Sequence, residues 1–196
     1  MRNFAFLFAA VLCTTSAAAQ TARIDTFNLS EEVEICMSCH GEAGVPTEPD
    51  YPIIFGQEYF YIYTQLRDYG AGRRQHELMT DIASAYSRDQ AKEIAAYFAE
   101  QRWPSIQGDI QEGDQSTAEL GITGGQCSAC HGKWQGDSRI PRMAGQQPAY
   151  TERTMLDFKH EVRMNAPDKI STMKQLDDET ISALARYLSS LQVSGN

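Results

Sequence analysis

Apolar side chains recur along this chain at the three- and four-residue spacing of a helix, without the two-residue alternation of a half-buried strand. Tyr59, Ile62, Tyr63, Leu66 and Tyr69 mark one face of a helix over 57–69. Ile94, Tyr97 and Phe98 mark the buried side of another, which Ser87 opens with Asp89 in its first turn. Acids at 177–179 open a last helix that runs to 191. A shorter helix over 31–39 leads into a cysteine pair. The aromatic stripe of Tyr59, Tyr63 and Tyr69 reads as core packing. The pattern predicts an all-α fold.

One apolar run does not fit a core helix. Phe4 to Leu12 follows a positive Arg2, and Ala17, Ala18 and Ala19 follow it with small side chains. This is the layout of a signal peptide over residues 1–19, with cleavage before Gln20 and export to the periplasm. Spanning a bilayer takes about 20 apolar residues, so the run is too short for an anchor. Leu12 ahead of Cys13 argues against lipid attachment there. No second run of this kind follows, so no transmembrane segment is expected in the mature chain.

Charge narrows the partners. With 17 Lys and Arg against 26 Asp and Glu, the net charge is −9 over 196 residues. Such a surface repels nucleic acid. It suits solubility, and equally docking onto a basic protein surface.

Cysteine spacing carries the chemistry. Cys13 leaves with the signal peptide. The other four fall into two copies of one pattern, Cys36-Met37-Ser38-Cys39-His40 and Cys127-Ser128-Ala129-Cys130-His131, each followed by a glycine. C-x-x-C-H is the attachment site of c-type haem. Two thiols on one helical turn add across the two vinyl groups of one porphyrin edge, and the next imidazole reaches the iron. A redox dithiol needs no histidine and no second copy. A zinc site of four cysteines leaves both histidines without a role. Two covalently bound haem c groups are therefore expected, on Cys36, Cys39, Cys127 and Cys130, with His40 and His131 as proximal metal ligands.

The chain is internally duplicated. Gly56-Gln57 recurs as Gly145-Gln146, Leu66-Arg67-Asp68-Tyr69 as Met155-Leu156-Asp157-Phe158, and Ile94 to Phe98 as Leu184 to Leu188. Offsets of 89 to 91 imply two copies of one small domain, 20–103 and 117–196. The stretch 104–116, with Pro104, Gly108 and Gly113, reads as the linker.

Each iron needs a sixth ligand. In the first copy the candidates are Met79 and His76, and Met79 is favoured because it lies in a loop ahead of the last helix. In the second copy the offset maps Met79 onto 168–170, where there is no methionine. Met173 and Met164 flank that position. Met173 is chosen, with Met164, Lys169 and His160 as the alternatives.

The paired C-x-x-C-H domains, each with Gly-Gln before a helix, resemble the dihaem cytochrome c4 family over nearly the whole mature chain. The segments from Met79 to Ser87 and from Ala95 to Gln101 also resemble the dihaem cytochrome subunit of flavocytochrome c sulfide dehydrogenase. The resemblance implies two tandem class I cytochrome c domains related by pseudo-twofold symmetry, each with iron held by His and Met. Where the family carries its second methionine ligand, this sequence has Lys169.

Two electron-transfer roles follow. One is a shuttle from a membrane oxidoreductase to a terminal oxidase. The other is the electron-accepting subunit of a sulfide-oxidising flavoprotein. Both make the chain an electron-transfer protein with redox proteins as partners and no catalytic residue of its own. A dihaem enzyme of the peroxidase or thiosulfate dehydrogenase type is the alternative, and it needs an open or unusually ligated iron.

Overall fold

Asn28, Ser87 and Asp177 each open a helix by accepting a backbone N–H with a side-chain oxygen, as cap residues do. The computed structural model describes residues 27–104, 106 and 108–192, so the expected signal peptide and its cleavage site lie outside the described residues. The first half holds α1 (Leu29–His40), α2 (Tyr59–Gly70), α3 (Glu77–Ser84) and α4 (Arg88–Ala99). The second holds α5 (Asp114–Gly124), α6 (Ser128–His131), α7 (Pro148–Lys159), α8 (Pro167–Met173) and α9 (Asp178–Ser190). Among the described residues the only β pairing is an isolated bridge between Asp137 and Ile140.

Each half has its own core. Val33, Ile62, Leu66, Ile94 and Phe98 fill the first, where α2 packs on α3 and α4 and α1 crosses α4. Ala118, Met155, Phe158, Ile181 and Leu188 fill the second, where α9 packs on α5 and α7. Phe98 is fully buried, and burying a side chain of that size stabilises a fold by about 3 kcal/mol. The chain is thus two tandem all-α domains of one design.

Three segments differ from their expectations. The stretch around Met79 is not a loop. It is α3, because the His76 ring caps it by accepting from the N–H groups of Leu78 and Met79. The long loop expected before the last helix likewise contains α8, which Pro167 opens with its fixed φ. Helix α5 begins at Asp114, inside the stretch read as linker.

The halves face each other across a near-symmetric seam. Gln57 Nε2 donates to Arg142 O at 3.0 Å and Gln57 Oε1 accepts from Arg142 N at 2.7 Å. Gln146 does the same to Ile53, at 3.0 and 2.8 Å. The preceding glycines are at φ 66 and 68. At Gly56 a Cβ would stand 2.8 Å from Trp103 N, so the turn that aims Gln57 admits no larger residue without backbone movement.

Candidate haem sites

In the first half the cysteines sit on the last turn of α1, with Cys36, Cys39 and His40 lining one cavity. His40 Nδ1 lies 2.8 Å from Pro52 O. A carbonyl only accepts, so Nδ1 carries the proton and Nε2 keeps its lone pair for a metal. Burial holds the His40 ring below its ordinary basicity, so it stays neutral. Gly41 ends the helix at φ 88, where a Cβ would collide with Val45 O.

Burial disfavours ionisation of the Cys36 and Cys127 thiols. Burial and the neighbouring Glu32 push Cys36 up to about 12. A redox dithiol needs the reverse shift, since the thiolate is its nucleophile. Among the described residues no three His, Cys, Asp or Glu side chains converge as a metal cage. Neither alternative reading of the motif finds support in the site.

The second half differs in detail. Gly124 and Gly125 interrupt the helix before the motif, and Gln126 sits at φ 51, so Cys130 and His131 lie on the separate short α6. His131 stacks on Trp134, with ring centroids 5.8 Å apart. Among the described residues its buried Nδ1 has no hydrogen-bond partner, although Pro141 stands where Pro52 does in the first half. Burial, with the positive charge of Lys169 adding to it, lowers this imidazole to about 4.

The candidates for the sixth position separate by placement. Met79 is half-buried on α3 and lines the cavity. His76 also borders it, with Nδ1 engaged in capping α3. Lys169 and Met173 both border the cavity from α8. Met164 is 53% exposed, and His160 is exposed at the end of α7.

The cavity, about 450 Å³, is continuous between the halves, from Cys36 and His40 to His131. Sequence reasoning overlooked five residues at its centre. Arg74 donates to the Tyr150 hydroxyl at 3.1 Å, and Arg74 and Arg163 both donate to Gln65 Oε1, at 2.9 and 2.8 Å. Tyr61 completes the group, hydrogen-bonded to Arg163 and Tyr150. Burial opposes ionisation of Tyr150, but the two guanidiniums outweigh it and hold the phenol below its ordinary range. Both arginines are buried, and among the described residues neither meets a carboxylate. Buried cations without counter-ions demand anions. Haem brings propionates, and its hydrophobic body suits the largely apolar walls, so the residues present fit two such groups. The shared offset linking Tyr61 to Tyr150 and Arg74 to Arg163 was the available signal.

No family model matches the chain. A cytochrome c4 from Thiocapsa roseopersicina is 31% identical over 170 residues, covering 80% of this chain and 87% of that protein. The crystal structure of reduced recombinant cytochrome c4 from Pseudomonas stutzeri superposes with a TM-score of 0.74 at 27% identity, over 84% of this chain and 97% of that one. A thiosulfate dehydrogenase electron acceptor from Stutzerimonas stutzeri strain A1501 is 25% identical over 169 residues, covering 80% of this chain and 78% of that protein.

The paired domains and their shared cavity make this a dihaem c-type electron-transfer cytochrome, with two covalently bound haem c groups. Within that class the chain belongs to the cytochrome c4 family.

Proposed function

We propose that the chain is a periplasmic one-electron carrier whose two domains, 20–103 and 117–196 joined by 104–116, each hold one haem. Cys36 and Cys39 would attach the first, with His40 and Met79 on its iron. Cys127 and Cys130 would attach the second, with His131 as proximal ligand. The observation that carries this reading is the single cavity into which His40 and His131 both open. It supports electron exchange within the molecule, between a surface that accepts and a surface that donates.

Haem supplies a one-electron ferric–ferrous couple. The chain supplies the rest. Pro52 fixes the His40 tautomer. The two cores would keep water from the porphyrin faces, and Arg74 and Arg163 would offer charge to the propionates. The thiosulfate dehydrogenase electron acceptor among the relatives favours a partner that oxidises a sulfur compound. A sulfide-oxidising flavoprotein and a terminal oxidase are the partner classes to separate.

Pyridine haemochrome assay on the denatured protein should find two c-type haems per chain. One haem, or haem extracted by acid solvent, overturns the reading. Capture from native periplasm, with flavin and haem assayed together, identifies the partner. Co-captured flavin indicates the flavoprotein.

A further inference from the structure

Met79 and Lys169 hold the same place in the two halves. The backbone frame around them establishes the match. Arg74 N donates to Asp68 O at 3.1 Å and Arg163 N to Asp157 O at 3.0 Å. Their guanidiniums cover equivalent rings, Tyr69 at 4.6 Å and Phe158 at 4.5 Å. Beyond this point the second half carries one extra residue, so α3 starts at Glu77 and α8 at Pro167. The two then stay in step. Ala85 N to Ile82 O and Tyr86 N to Ala83 O are matched by Gln175 N to Thr172 O and Leu176 N to Met173 O. Ser87 and Asp177 cap the helices that follow. In this frame Met79 corresponds to Lys169, and Met173 corresponds to Ala83.

We propose that Nζ of Lys169, not the sulfur of Met173, is the sixth ligand of the second haem iron. The proposal rests on the reading that Cys127, Cys130 and His131 hold that haem. Lys169 is the third residue of its helix, half-buried and on the cavity wall, as Met79 is. Lys92, Lys159 and Lys174 each pair with a carboxylate. The Lys169 ammonium has no such partner among the described residues, and Lys169 lines the same cavity as His131. Met173 is buried in the second core at the register of Ala83, so its added bulk fills space between α7 and α8.

Ligation requires the ammonium to release one proton to water, after which the nitrogen lone pair forms the bond to iron. No electron moves in that step. An amine is a harder donor than a thioether and favours ferric iron. The second haem then has the lower potential, and the two haems are ordered for transfer from the second to the first.

The test uses the intact holoprotein. The oxidised wild type should show a methionine-to-iron charge-transfer band with the intensity of one thioether-ligated haem per chain. An intensity of two overturns the proposal without any variant. Lys169→Ala should turn one haem high-spin, and Lys169→Met should double the band and raise the lower potential. Met173→Ala should leave band and spin state unchanged while lowering stability. A high-spin haem in Met173→Ala with both haems low-spin in Lys169→Ala overturns the assignment, and so does an unchanged spin state in both. A haemochrome count of two per chain in each sample distinguishes failure here from failure of the haem reading itself.

Discussion

Gln57 and Gln146 each close two hydrogen bonds on the backbone of the opposite domain, Gln57 on Arg142 and Gln146 on Ile53. The four residues obey one offset, so each glutamine does for its partner domain what the other does in return. Self-complementary pairing of this kind is how a twofold interface closes, here within one chain.

Gln57→Ala removes the buried hydrogen bonds that Gln57 makes to the N–H and C=O of Arg142. Each such loss costs about 1–3 kcal/mol. Urea denaturation followed by haem absorbance and by Trp fluorescence should show lower stability. Gln146→Ala should match it in size, because the contact is repeated. A loss in only one of the two variants contradicts the equivalence.

Met79→Ala removes the thioether proposed as the sixth ligand of the first haem iron. With Lys169 on the second iron, this variant should lose the whole methionine-to-iron band. One reduction potential should fall, since a thioether favours the ferrous form. Redox titration with near-infrared spectra checks both outcomes. Retention of half the band would return the second iron to a methionine.

His76→Ala removes the ring that accepts from the N–H groups of Leu78 and Met79. Loss of a helix cap costs about 1 kcal/mol. The helix carrying Met79 should fray, and cyanide should displace that ligand faster in the ferric protein. Stopped-flow mixing measures the rate. His160→Ala should leave it unchanged, because that ring is exposed at the end of α7.

Asp114 ties α5 to α9 by accepting two bonds from Arg186, both at 2.7 Å. Those bonds hold its carboxyl below the ordinary carboxylate value of 3.8. A carboxyl depressed in the fold contributes stability above its unfolded value and loses it as pH falls through the folded one. Asp114→Asn should therefore cost about 2 kcal/mol near neutral pH, as hydrogen bonds to charged groups do. The gap to wild type should close as pH drops below 3.8. A gap independent of pH would assign the effect to packing.

Much of this protein was legible without coordinates. Two copies of C-x-x-C-H declare covalent haem because the chemistry needs only neighbouring residues on one helical turn. The duplication, the helices α1, α2, α4 and α9 and the caps at Ser87 and Asp177 depend on spacing along the chain, and spacing is what a sequence displays. Tertiary structure decided what distant residues do for one another. The glutamine exchange and the meeting of Arg74, Arg163, Tyr61 and Tyr150 join residues on opposite domains, and no local rhythm marks such a meeting. The sequence offset brought Met79 only to within 168–170, and the exact match with Lys169 depends on one residue inserted in the turn before α8. Turns absorb such insertions freely, so the register beyond them is set only when the helix packs.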